Sequence, residues 1–256
     1  MASVTSPAAV EADLPEAARR WLSTCRVKIF ADGPDLSDLS KLLAQPFIRG
    51  VTTNPTLLRK AGVADYEAFG REMLSTVRHL PVSFEVIADD FVEMERQAHK
   101  IAGWGDNVYV KIPVTNTRGQ SSAQLVRRLS RAGVKVNVTA MLTLEQIAGM
   151  VEMLDGGAPG IVSLFAGRVA DTGRDPVPVI ADAARLLEAH PGIELLWASP
   201  RELLNLFQAE AAGCHIITMT ADLLDKLQLI GKDLAAYSAE TVAMFYGDAR
   251  RAGYEL

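Results

Sequence analysis

The 256-residue sequence predicts a closed (β/α)8 barrel, and three observations carry that prediction. Short, apolar, β-rich segments alternate with longer amphipathic ones over almost the whole length, the pattern of a mainly parallel sheet buried on both faces. Eight such segments follow one another without interruption, and the length is close to the ~250 residues usual for this architecture. The turn after the first strand reads "ADGPDLSD", not the Gly-rich turn of a dinucleotide-binding sheet, which weighs against an open, doubly wound arrangement.

The elements follow in order. The opening "MASVTSPAAVEADLPEAARRWL" is Ala-rich and acidic and lacks the apolar stretch of a signal peptide; it is expected to begin loose and to turn helical from about Leu14. The strands are expected at 27–32 ("VKIFAD"), 47–54 ("FIRGVTTN"), 82–88 ("VSFEVIA"), 108–113 ("VYVKIP"), 134–139 ("VKVNVT"), 160–165 ("GIVSLF"), 193–199 ("IELLWAS") and 215–220 ("HIITMT"). Between them, "DFVEMERQAHKIAGW", "SSAQLVRRLSRAG" and "DPVPVIADAARLLEAH" repeat apolar residues every three or four positions, and several such segments end at Gly, as helices do. The last 24 residues or so, "DLAAYSAETVAMFYGDARRAGYEL", read as a helix and tail that either crosses the barrel mouth or docks on a neighbouring subunit. With no short-period repeat or Gly/Ser linker, the expectation is an N-terminal extension (1–25) and one barrel domain (26–256), assembled as a homo-oligomer.

Composition narrows the function classes. A formal net charge of -5 offers no basic surface for nucleic acid or anionic membrane, and "RRLSR" reads as a solvated helix face. No apolar run approaches the ~20 residues needed to span a bilayer. Two cysteines, Cys25 and Cys214, are too few for a disulfide framework or a cysteine zinc site, and suit a cytoplasmic setting. The four histidines are scattered, so no metal site is expected.

A barrel places its chemistry at the C-terminal ends of its strands. Reading those ends in order gives Asp32; Thr52, Thr53 and Asn54; Glu85; Lys111; Asn137 and Thr139; Ser163; and Ser199. Lys111 is the sharpest of these. It lies late in "VYVKIP", just before a proline that cannot continue the ladder, whereas Lys28 and Lys135 each follow the opening valine of their strands and so belong to the closed end. A buried lysine is costly unless paired, and a desolvated amine is what Schiff-base chemistry requires. The bland reading is a structural lysine whose head reaches solvent. Glu85 in "VSFEVIA" needs a buried partner, which a strand lysine such as Lys135 could also supply. Asp32 could serve only the turn that follows it, and Asn54 only an Asn-Pro turn. Arg168 ("FAGR") and Arg201 ("ASPR") suit a phosphate, with Ser199 and a helix expected to start behind it; alternatively they pair with acids such as Glu202.

Taken together, "GVTTNPTLL", "FEV", "VYVKIP", "VNVTAM", "SLFAGR" and "ASPR", in this order, resemble the transaldolase family, class I aldolases on a (β/α)8 TIM barrel. The resemblance runs from about Arg26 to the C-terminus. It implies transfer of a dihydroxyacetone unit between sugar phosphates, as in the pentose phosphate pathway, with no cofactor. By the same resemblance Lys111 is the Schiff-base lysine and Asp32 the proton acceptor and donor. Glu85 and Thr139 hold a catalytic water, and Thr53, Asn54, Asn137, Ser163 and Phe165 line the site of the three-carbon unit. Arg168, Ser199 and Arg201 take the phosphate. The fructose-6-phosphate aldolase branch carries Gln where Glu85 stands and Tyr where Phe165 stands, so transfer is expected over simple cleavage. A ketose-phosphate aldolase, a transferase for a specialised sugar and a non-catalytic phosphosugar-binding barrel are the other readings.

Overall fold

Eight parallel strands close on themselves in sequence order, the first pairing with the last to seal a barrel. The computed structural model describes residues 14–33 and 36–255. α1 (Glu16–Leu22) leads to β1 (Lys28–Asp32), α2 (Leu36–Leu43) and β2 (Ile48–Thr52). α3 (Pro55–Lys60) and α4 (Tyr66–Thr76) precede β3 (Val82–Glu85), and α5 (Phe91–Ala102) precedes β4 (Val108–Pro113). Next come α6 (Ala123–Arg131), β5 (Val136–Met141), α7 (Leu144–Leu154), β6 (Gly160–Leu164), α8 (Ala166–Ala170) and α9 (Val177–Leu187). β7 (Ile193–Trp197), α10 (Leu204–Ala211), β8 (Ile216–Met219), α11 (Ala221–Asp225), a 3-10 turn (Lys226–Leu229) and α12 (Leu234–Ala252) complete the chain. The predicted barrel is the observed one. The expected loose start falls on residues 1–13, outside the described residues.

Where strand ends differ from the sequence reading, a local cause is visible. β2 stops at Thr52 because Asn54 turns to cap α3, accepting from the Leu57 N–H at 2.9 Å, and Pro55 has no N–H to continue the ladder. β3 stops at Glu85 because the Gln97 side chain of α5 takes the N–H groups of Ile87 (2.8 Å) and Ala88 (3.0 Å). β5 starts two residues late, after a turn at Gly133 (φ 86°), and β7 ends where Ser199 enters the left-handed region at φ 57°. The helix starts are chemically marked: Asp65, Asp90 and Asp233 cap α4, α5 and α12, and Thr143 with Gln146 closes a capping box on α7.

Two apolar cores hold these elements. The larger fills the sleeve between barrel and helices and includes Phe84, Met94, Leu129, Ile147, Leu154 and Trp197, all essentially inaccessible. At about 1.5–3 kcal/mol for each large apolar side chain buried, this sleeve outweighs the solvent-screened surface ion pairs such as Arg71–Glu67. The smaller core lies inside the barrel, where Phe30, Ile161, Leu196, Ala198 and Ile216 meet. Gly50 makes room for it, since a Cβ there would stand 2.5 Å from the Phe30 ring. This plug leaves inward-facing positions above it for polar side chains. Among the described residues no helix is long and apolar enough to cross a membrane.

Candidate active site

Strand alternation turns Asp32, Thr52, Glu85, Lys111, Asn137, Thr139, Ser163 and Thr218 into a cavity of about 550 Å³ at the C-terminal mouth. Asn54, Ala140, Phe165, Arg168, Ser199, Arg201 and Asp222 extend its wall. Eleven of the twelve site residues expected from sequence line this one cavity; Thr53 is the exception. Neighbouring residues on a strand face opposite ways, so with Thr52 inward the Thr53 side chain turns out and donates to the Ser83 carbonyl at 2.9 Å. Thr53 contributes its backbone carbonyl instead.

Lys111 is 7% exposed, and its ammonium is matched on two sides. Nζ donates to the Thr53 carbonyl at 2.8 Å and stands 3.1 Å from Glu85 Oε2. The pairing follows from register, because Glu85 of β3 lies directly opposite Lys111 of β4. The other two lysines expected in strands lie at the closed end, Lys28 opening β1 and Lys135 standing just ahead of β5 rather than within it. Lys28 pairs with Glu194 at 2.7 Å, and Lys135 reaches the Asp106 carbonyl at 2.7 Å, leaving Glu85 to Lys111. Beside Lys111 runs a hydrogen-bonded polar line: Ser163 donates to Asn137 Oδ1 (2.7 Å), and Asn137 Nδ2 donates to Ser83 Oγ (3.1 Å). Thr139 differs from these neighbours, its hydroxyl being buried without a protein partner. A buried orphan hydroxyl at the mouth is a group available to a ligand or water.

Across the cavity, Asp32 accepts from Thr52 Oγ1 at 2.7 Å. Thr52 and Thr218 hydroxyls stand 2.6 Å apart, so the relay that satisfies all three runs from Thr218 to Thr52 to Asp32. Burial raises the Asp32 carboxyl above its ordinary value, against the opposing effects of Thr52, Lys111 and Asn54. A carboxylate so raised and close to a lysine is suited to take a proton and return it.

The outer wall carries the cations. Arg168 comes from α8, and Arg201 follows β7. Arg201 pairs with Asp171 through two bonds of 3.0 and 2.5 Å, not with Glu202, and the Asp171 carboxyl is held below its ordinary value by that guanidinium first and by Arg168 among the lesser causes. The helix expected directly behind Ser199 begins only at Leu204, because the Asn205 side chain accepts the N–H groups of Arg201 and Glu202 and holds an irregular loop ahead of it. Ser199 therefore offers its hydroxyl without a helix N-terminus. Its carbonyl packs so closely on Gly167 that a Cβ there would lie 1.6 Å away.

Sequence reading missed Thr218, Thr220 and Asp222 as cavity residues; alternation along "HIITMT" is the signal that reveals the first two. His215 Nδ1 accepts from the Leu195 N–H, and Trp197 is fully buried. Among the described residues no three His, Cys, Asp or Glu side chains converge as a metal site would.

The sequence profile of the Transaldolase/Fructose-6-phosphate aldolase family matches residues 29–255. A protein of Dehalococcoides mccartyi named "Probable transaldolase" is 34% identical over 195 residues, 75% of this chain and 86% of that one. "Probable transaldolase 2" of Listeria monocytogenes is 34% identical over 203 residues, covering 78% and 88%. A "Probable transaldolase" of Methanococcus maripaludis is 33% identical over 224 residues, covering 84% and 99%. With nearly the whole barrel matched by the profile and relatives aligned over most of both chains, the chain belongs to the transaldolase/fructose-6-phosphate aldolase family.

Proposed function

We propose that the protein is a transaldolase that moves a dihydroxyacetone unit from a ketose phosphate, such as fructose 6-phosphate or sedoheptulose 7-phosphate, to an aldose phosphate. The observation that carries this reading is the Lys111 amine, buried at the mouth between the Thr53 carbonyl and Glu85 and sharing one cavity with Asp32. The Lys111 amine adds to the ketose carbonyl, and loss of water gives an iminium. Asp32 takes the proton of the C4 hydroxyl, the C3–C4 bond breaks, and its electrons flow into the iminium to leave an enamine. The aldose phosphate departs. The enamine attacks the second aldehyde, Asp32 returns the proton to the new hydroxyl, and water hydrolyses the Schiff base. Glu85 and the Thr139 hydroxyl are the groups that hold this water, a role favoured by Thr139 having no protein partner. Asn54, Asn137 and Ser163 bind the three-carbon unit, Phe165 walls it, and Arg168, Ser199 and Arg201 take the phosphate.

Glu85 and Phe165 favour transfer over cleavage, since a wall without an acidic hydroxyl protonates the enamine poorly and preserves it for the acceptor. We place the enzyme in the cytoplasm, which suits its free Cys25 and Cys214, within carbohydrate metabolism of the pentose-phosphate kind. Residues 26–256 form the catalytic unit and 1–25 an extension. A homo-oligomer is supported by α12, which buries none of its own residues.

The test is borohydride trapping with fructose 6-phosphate, with and without erythrose 4-phosphate, followed by peptide mass spectrometry. A three-carbon adduct on Lys111 that the acceptor diminishes is the expected result, and Lys111→Met should lose the adduct and transfer while keeping its fold. Undiminished activity in that variant would sink the mechanism. An adduct indifferent to the acceptor would favour the aldolase, and none with any ketose phosphate the binding barrel.

A further inference from the structure

We propose that Tyr66 is a positioning residue for the Glu85–Lys111 pair, its hydroxyl replacing two hydrogen-bond rungs that β2 cannot supply and so leaving the Thr53 carbonyl to hold the lysine amine. This assignment rests on the roles given above to Lys111 and Glu85.

The ladder between β2 and β3 shows the need. Val51 N–H bonds the Pro81 carbonyl at 2.9 Å, and Thr53 N–H bonds the Ser83 carbonyl at 3.1 Å. Rungs of a parallel ladder recur evenly, so the next two would run from Glu85 N–H to the Thr53 carbonyl and from residue 55 N–H to the Glu85 carbonyl. Residue 55 is proline and has no N–H. The Thr53 carbonyl is engaged by Lys111 Nζ at 2.8 Å. Both main-chain groups of Glu85 would then lack strand partners next to the reacting amine, at a depth where unpaired groups are avoided.

One oxygen serves both. The Tyr66 hydroxyl accepts from Glu85 N–H at 2.8 Å and donates to the Glu85 carbonyl at 3.0 Å, with the Thr53 side chain as a further hydrogen-bond neighbour. Burial pushes this phenol up to about 12, so it remains a donor across the neutral range. Packing alone does not ask for tyrosine. The ring meets Phe84 and Trp104 edge-on, at centroid distances of 6.3 and 5.8 Å, contacts that phenylalanine would make equally. The hydroxyl is what ties the first residue of α4 to the end of β3, and it acts on the backbone of the residue whose side chain faces Lys111.

The experiment is Tyr66→Phe, with Leu74→Ala as a control that weakens α4 away from the strand end. Amide hydrogen exchange at Glu85 should accelerate at least tenfold in Tyr66→Phe. In the same variant kcat for transfer, and the rate of forming the borohydride-trapped adduct, should fall at least tenfold with KM for the ketose phosphate changed less than threefold. Leu74→Ala should lower thermal stability while leaving kcat within twofold. Unchanged exchange at Glu85, or faster exchange with unchanged kcat, overturns the proposal; so does an equal loss of kcat in both variants. If the unmodified protein forms no adduct, the chemical reading of the site fails separately. Exchange at Glu85 then decides the positioning alone, faster exchange sustaining it and unchanged exchange ending it.

Discussion

At the residue scale the site trades stability for chemistry at Asp32. Its carboxyl is raised by burial despite a hydroxyl donor and a nearby lysine, so the folded protein disfavours the charged form. The sign follows from linkage. A raised folded value means that the stability linked to the protonated form is fully present below the unfolded value, ~3.9, and is lost as pH rises through the folded value. Asp32→Asn removes the ionisation while keeping an acceptor for Thr52. Its melting temperature at neutral pH should equal or exceed that of the unmodified protein, with transfer abolished, and the difference should shrink as pH falls toward the ordinary aspartate value. Thermal melts across that range are the check; a gap that widens toward acid contradicts the account. Lys111 and Asp32 were both legible in the sequence, since each stands late in an apolar strand. Thr53 was misread for a simple reason: in a "TTN" run only the phase of the strand decides which threonine faces inward, and that phase comes from pairing with β1 and β3.

At the element scale the outer wall depends on two backbones in contact. Gly167, inside α8, meets the Ser199 carbonyl after β7, and its N–H bonds the Ala198 carbonyl at 3.3 Å. Any Cβ at 167 must push that peptide away, and with it the hydroxyl of Ser199 and the guanidinium of Arg201. Gly167→Ala should cost about 1–3 kcal/mol of stability, as overpacking does, and raise KM for phosphorylated donors at least tenfold, with kcat less affected. Steady-state kinetics and melting curves measure both, and an unaltered KM would separate Ser199 and Arg201 from phosphate binding. Strand centres were legible because period-two apolar runs are local. Their ends were not, because they are set by side chains arriving from elsewhere, Asn54 at β2 and Gln97 at β3.

At the scale of the whole molecule, α12 stands apart. It has no buried residue, and Val242, Phe245 and Tyr246, spaced as one helical face, are 64, 63 and 68% exposed. A contiguous apolar helix face of this kind marks an interaction surface. With α12 as the seat of the proposed homo-oligomer, the double variant Val242→Glu, Phe245→Glu should lower the native mass seen by light scattering while the Lys111 adduct still forms. A mass unchanged by the substitutions would remove α12 from that proposed interface.

By itself the sequence determined the barrel, the strand centres and the residue types gathered at its mouth, because hydrophobic period and strand polarity are written within a few neighbouring residues. Only the closed tertiary structure decided which of those residues meet. The Thr52 hydroxyl touches Thr218 across a separation of 166 residues, Lys111 takes Glu85 as its neighbour, and Arg201 takes Asp171 in place of the adjacent Glu202. Tyr66, a helix residue with no mark in the linear pattern, reaches Glu85 only because α4 packs beneath the end of β3. Partner choice depends on register and on closure of the sheet, and both are properties of the assembled barrel.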